Sequence, residues 1–211
     1  DTVTDMDKGY YSKEENGYVF LHNDSYIKST NNIGISGDAK FTIEIVSNLW
    51  EDGKNPNYSL PAYGSCDEAW WGSSGTGIEN TCVFGYRRVD KKMYASFINN
   101  ATFSDDKIDI IGKTSYKSFR KTKVGQIKNG DTDIGKINYN GNDISNTYTG
   151  SATFTPNIED SQVQVGRIWQ FNNQNRTIYG SVKSVRIYNR VLTDEEIKHN
   201  YELDKARFKI E

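Results

Sequence analysis

The stretch SVKSVRIYNRVLTDEEIKHNYE, residues 181–202, decides the fold. In its first half Val182, Ser184, Arg186 and Tyr188 alternate with Lys183, Val185 and Ile187, a period of two that suits a strand late in a sheet. The second half changes period. Leu192-Thr193-Asp194-Glu195-Glu196 reads as a capping box, with Thr193 at the N-cap, Glu196 three residues on, and Leu192 stapled to Ile197. Ile197 and Tyr201 share one stripe, so a short helix is expected to lie on the flank of a β structure and close a sheet edge.

The chain upstream is read as strands. Eighteen glycines and only three prolines punctuate short, mostly alternating segments rich in Tyr, Val, Ile, Phe and Thr. Tyr18–Leu21 and Ser25–Lys28 flank a His22-Asn23-Asp24 turn and predict a hairpin. In 41–46, Phe41, Ile43 and Ile45 take one face and Thr42, Glu44 and Val46 the other. Further strands are expected at 83–86, 93–98, 108–111, 119–127, 134–139, 147–154, 163–169 and 182–188. Asn140-Gly141 is the strongest hairpin turn, because both central residues of a type I′ turn need positive φ. Residues 51–81 break the rhythm and read as a long inserted loop, a feature that is usually functional in a compact domain.

Composition narrows the class. The 211 residues are 35 % hydrophobic but 13 % aromatic, led by 14 Tyr, so large rings can fill one core. Twenty-six basic against 28 acidic side chains leave a formal charge of −2, which provides neither a nucleic-acid footprint nor a basic membrane face. Mean hydropathy is −0.75, and no window approaches the roughly 18 apolar residues of a membrane span. A start at Asp1, with no leader, reads as a module cut from a longer precursor. Cys66 and Cys82 flank a polar, glycine-rich stretch; a bridge between them would contribute about 3 kcal/mol and point to an oxidising, extracellular compartment. The other reading is two unrelated thiols, one of them buried.

Residues 180–192 resemble the C-terminal signature of the laminin G-like, or concanavalin A-like, jelly-roll family. Gly180, Val182, Val185, Arg186, Ile187, Tyr188, Asn189, Arg190 and Leu192 match its pattern. Asn23–Ile27, Phe41–Glu44, Ile137–Gly141 and Gln164–Gly166 resemble its earlier strands, so the likeness runs from about residue 18 to 203 except through 51–81. It implies a two-sheet antiparallel jelly-roll sandwich with a short C-terminal helix, and it leaves function open, because the fold serves lectins, glycan-binding modules, adhesive domains and glycoside hydrolases alike.

Catalytic chemistry finds little support. Retaining glucanases of this fold carry a run like E-x-D-x-x-E, and none exists here. Asp105-Asp106 and Asp131 with Asp133 sit in turns, and Asp194-Glu195-Glu196 belongs to a helix start. His22, in a turn, and His199, on the exposed side of the helix, have no triad context and no zinc spacing. No cofactor is required; a structural calcium ion is the one metal the family's habits suggest, with Asn23, Asp24, Asp131 and Asp133 as ligand sources, although solvated turn residues are the preferred reading of all four.

The binding candidate is aromatic. Sugars stack their C–H faces on indole and phenol rings while amides, carboxylates and guanidinium groups meet the hydroxyls. Tyr63, Trp70, Trp71 and Tyr86 stand near Asp67, Glu68, Asn80, Arg87 and Arg88, and the competing role for the tryptophans is to anchor the loop on the core. Trp50 and Trp169 end strands and are expected in the core. Sequons at Asn23, Asn57, Asn100 and Asn175 carry no conclusion in so Asn-rich a chain. The expected function is a non-catalytic, secreted or surface-displayed, lectin-like module for a glycan or glycoprotein. Its rivals are an adhesive, protein-docking domain without a sugar site and, more weakly, a hydrolase.

Overall fold

The computed structural model describes residues 9–20, 27–32, 34–35, 38–50, 67–74, 82–87, 90–97, 100–128, 130–131, 134–144, 146–149, 153, 155–156, 162–170 and 174–211, several strands by their backbone alone. The protein is an all-β, two-sheet jelly-roll sandwich with one C-terminal helix. The first sheet contains β1 (Tyr10–Ser12), β2 (Gly17–Phe20), β4 (Phe41–Leu49), β9 (Thr114–Lys121), β10 (Gly135–Tyr139), β11 (Asn142–Ile144) and β16 (Gly180–Tyr188). Its spatial order is β1-β2-β16-β4-β9-β10-β11. The second contains β3 (Ile27–Asn32), β5 (Asp67–Ser74), β6 (Cys82–Arg87), β7 (Lys92–Phe97), β8 (Asn100–Ser104), β12 (Asn146–Thr149) and β13 (Gln162–Val165), in the order β12-β8-β7-β6-β5-β13-β3. A separate ribbon joins β14 (Arg167–Gln170) to β15 (Gln174–Thr177).

The core lies between the sheets. Phe119 of β9 is its hub, with ring centroids 6.1 Å from Phe41 of the same sheet and 6.0 and 5.9 Å from Phe84 and Phe97 of the opposite one. Ile43, Ile45, Leu49 and Ile137 join from the first sheet; Cys82, Tyr86, Met93, Ala95 and Val165 join from the second. Each such large side chain removed from water contributes about 2–3 kcal/mol, which is how a chain of modest apolar content holds a full sandwich.

The expected hairpin turn is present: Asn140 and Gly141 have φ of 46° and 78°, and they join β10 to β11. Several other local expectations are corrected. Of the hairpin expected over 18–21 and 25–28, residues 21–26 lie outside the described residues, and the rest do not pair: Tyr18–Phe20 in β2 pair with β1 and β16, whereas Ile27 and Lys28 in β3 pair with β13 in the other sheet. Ile108–Ile111 is no strand; a single parallel bridge, Leu49 to Ile111, holds it. The strand expected to reach Ile127 stops at Lys121, whose ammonium turns onto Asp38 Oδ1 at 2.8 Å. The strand expected over 163–169 breaks at Gly166, where φ is 85°. Within the expected loop, Asp67–Ser74 is a strand, paired on both sides by β6 and β13; the rest of 51–81 lies outside the described residues.

Helix α1 (Asp194–Phe208) starts with the capping box read from the sequence. Thr193 Oγ1 accepts from Glu196 N at 3.2 Å, and Glu196 Oε2 accepts from Thr193 N at 2.8 Å. It does not close an edge as expected. It covers the outer face of the first sheet, where Leu192, Ile197, Phe208 and Ile210 pack with Val46 and Tyr116 into a second core. Every residue from Phe41 to Ser47 is therefore buried, on both faces of β4.

Candidate functional site

Strands β5 and β6 bring the sequence candidates together. Their register sets Asp67 opposite Arg87, Glu68 opposite Tyr86, Ala69 opposite Gly85 and Trp71 opposite Phe84, so Trp70 is the extra residue of a bulge. A bulge interrupts the ladder and redirects the chain, and bulges gather beside sites. Arg87 holds Asp90 at 3.2 Å beyond the strand end. Tyr63, Asn80, Arg88 and Cys66 lie outside the described residues, and with Cys66 the Cys66–Cys82 bridge. Cys82 is fully buried on the core side, and burial pushes its thiol above the ordinary value against the opposing influence of Lys121.

Tyr86 is a correction. Its ring is fully buried in the sandwich core and its hydroxyl donates to Ile108 O at 2.9 Å, so it cannot stack on a ligand. The core positions Cys82, Phe84 and Tyr86 define the inward face of β6. Tyr94, on the opposite face of β7 from the core residues Met93 and Ala95, is only 1 % exposed. The outer face of the second sheet is thus covered at Tyr94 of β7.

A second polar constellation lies under the helix. Glu44, buried on β4, accepts from Arg186 Nε at 2.6 Å, Tyr188 Oη at 3.0 Å and Asn200 Nδ2 at 2.9 Å, and also from Tyr116 Oη. Arg186 then reaches Asp204 of the helix, Nη1 to Oδ1 at 3.1 Å and Nη2 to Oδ2. Burial, then the Glu44 charge and hydrogen bond, raises the Tyr116 and Tyr188 hydroxyls above their ordinary values. Burial works against the Arg186 cation, but Asp204 and Glu44 outweigh it and hold its value up. A carboxylate whose oxygens already accept from four side chains beneath a capped helix is a fastener between sheet and helix, with no room for a substrate.

Beside it, an open depression of 430 Å³ lies along Tyr188, Arg190, Leu192, Glu195, His199 and Asn200. Arg190 forks onto Glu196 at 2.8 and 2.7 Å, while Tyr188 and Asn200 serve Glu44, so much of this lining is committed to the cap and the fastener. His199 is exposed, as expected.

Two further acids have structural partners. Asp194 pairs with Arg120 at 2.6 Å, which holds its carboxyl below the usual range. Asp131 accepts from Lys128 N at 2.7 Å and from Lys123, and these donors likewise lower it. Of the calcium candidates, Asp131 is thus engaged in its own turn, and Asn23, Asp24 and Asp133 lie outside the described residues. Among the described residues, no three His, Cys, Asp or Glu side chains are grouped to hold a metal ion, and no helix is long and apolar enough to cross a membrane.

No protein-family model matches the sequence, and no curated protein matches it. Solved structures do. A Bacteroides ovatus protein assigned to carbohydrate binding superposes with a TM-score of 0.54 at 16 % identity, over 82 % of this chain and 43 % of that one. The carbohydrate-binding module CBM40 of the Ruminococcus gnavus IT-sialidase, bound to α2,3-sialyllactose, gives 0.53 at 12 % identity, over 83 % and 95 %. Domain 4 of the extracellular arabinanase AbnA from Geobacillus stearothermophilus, bound to arabinotriose, gives 0.52 at 13 % identity, over 87 % and 75 %. This chain therefore spans less than half the length of the Bacteroides protein. At these identities the likeness establishes the sandwich fold.

Proposed function

We propose that this domain is a non-catalytic, extracellular carbohydrate-binding module that takes its glycan at the β5–β6 region. The observation that carries the reading is the register of these strands: it gathers Asp67, Trp70 and Arg87 onto two adjacent strands around a bulge, whereas Trp71 is set opposite the core residues Phe84 and Val165. An indole ring for C–H faces, with a carboxylate and a guanidinium for hydroxyls, forms the set of groups that sugar recognition needs. Two structural neighbours solved with oligosaccharides bound, a sialidase module and an arabinanase domain, lend support from the same architecture. A non-catalytic role is favoured because Glu44, Glu196 and Asp131 are committed to a fastener, a cap and a turn.

The test is a printed array of defined oligosaccharides probed with the parent chain and with Trp70→Ala and Trp71→Ala. Retention of a glycan, weakened by about tenfold or more in at least one variant, is expected. Absence of retention, or indifference to both changes, leaves the adhesive protein-docking reading in its place. Release of reducing sugar from a retained glycan would overturn the non-catalytic assignment.

A further inference from the structure

Lys121 ends β9 with its ammonium inside the protein. It stands opposite Phe41 of β4 and Gly135 of β10, two residues beyond the core hub Phe119, so its stem leaves the strand on the core face. The residue is only 1 % exposed. A cation withdrawn from water is tolerated where protein oxygens replace its hydration shell. Here the oxygens are Asp38 O at 2.8 Å, Asp38 Oδ1 at 2.8 Å, Ala39 O at 3.3 Å and Lys123 O at 2.7 Å.

These oxygens outnumber the protons that an ammonium can donate. They surround the charge as they would a spherical ion. Three are backbone carbonyls, and the fourth belongs to a carboxylate whose other oxygen accepts from Gly125 N. Carbonyls and a carboxylate converging on one point form the ligand set of a hard cation. The fold supplies them locally: Asp38 and Ala39 lead into β4, and Lys123 and Gly125 follow β9, the strand paired with β4. The same segment then returns to the core. Thr122 N and Lys123 N donate to Ile134 O, and both Ile127 and Ile134 are buried between the sheets.

Distance and charge select the ion. Calcium stands about 2.3–2.6 Å from its oxygens and gathers about six to eight of them, with several carboxylates in its tighter sites. The oxygens around Lys121 stand at 2.7–3.3 Å and carry one formal negative charge, that of Asp38. That spacing fits a monovalent cation of ammonium size and is too wide for calcium.

We propose that Asp38, Ala39 and Lys123 form a monovalent-cation site that Lys121 fills with a tethered ammonium, so that this end of the sandwich is held without a dissolved metal ion. Shortening Lys121 therefore opens the site to a monovalent cation from solution. The proposal is independent of the carbohydrate-binding reading.

The experiment measures thermal midpoints of the full chain and of Lys121→Ala in choline, ammonium, methylammonium, potassium and calcium chlorides at equal ionic strength, which cancels general screening. In choline the variant is expected to melt about 10 °C or more below the parent. In ammonium or methylammonium it is expected to recover about 3 °C or more, while the parent moves by less than about 1 °C. Should Lys121→Ala fail to fold in every salt, Asp38→Asn keeps the shape of the site and removes its charge, and it is expected to lower the midpoint by about 5 °C. A loss below about 1 °C in Asp38→Asn overturns the charge balance on which the site depends. A Lys121→Ala midpoint that is the same in choline as in ammonium, methylammonium and potassium overturns the site. Calcium that stabilises Lys121→Ala, relative to the parent, more than ammonium does overturns its monovalent character.

Discussion

Arg186 on β16 bridges Glu44 on β4 to Asp204 on the helix, its Nε 2.6 Å from Glu44 Oε2 and its two terminal nitrogens forked on the Asp204 carboxylate. Both carboxylates are buried, so removing the cation leaves two uncompensated charges between sheet and helix. Arg186→Leu is expected to cost about 3–5 kcal/mol in urea denaturation. A loss below about 1 kcal/mol would show that the helix is held by its apolar contacts alone.

The helix cap titrates. Arg190, and then the Thr193 N–H, hold the Glu196 carboxyl down at about 2, from an ordinary 4.5. A depressed folded-state value stabilises the fold above pH 4.5, and that contribution drains away as the pH falls through about 2. Thermal midpoints of the parent and Glu196→Gln should therefore differ by a constant amount above pH 5 and converge towards pH 2. A gap that persists unchanged to pH 2 would contradict the assignment.

At the root of the ribbon, Gly166→Ala sets a methyl group against Phe20 in a backbone conformation that alanine resists. Chemical denaturation should show a loss of about 2–3 kcal/mol, more than the turn residue Gly130→Ala, whose added Cβ meets nothing within 4 Å although its φ of 84° is also positive. Equal losses at the two positions would mean that φ alone matters and that the chain is not pressed on the core at Gly166.

Tyr86 separates stability from binding. Tyr86→Phe loses the hydrogen bond to Ile108 O and should cost about 1 kcal/mol while leaving glycan affinity unchanged. A change in affinity without a change in stability would return Tyr86 to the binding surface.

Local chemistry was legible in the sequence wherever it is completed within a few residues. The Thr193–Glu196 capping box and the Asn140-Gly141 turn need no distant partner, and both stand as read. Partnership between strands was not legible: 18–21 and 25–28 read as a hairpin, yet Tyr18–Phe20 and Ile27–Lys28 belong to different sheets, because period-two alternation names a face and never a partner. The position of the helix was missed for a related reason. Thr42 and Glu44 read as a solvent face, but Thr42 Oγ1 donates to Arg190 O and accepts from Leu192 N, and Glu44 anchors Arg186, so the polar side of β4 is the seat of the helix. One signal was available, Val46 on that same face. In the candidate site, the composition of 67–87 marked the region, but the inward face of β6 took Tyr86 out of it.

The most direct measurement is a two-dimensional amide NMR titration of the chain with the trisaccharide best retained on the array. Shift changes concentrated in residues 67–74 and 82–87 are predicted, with the helix at 194–208 unmoved. Changes confined to the depression at 188–200, or none at saturating sugar, would contradict the account.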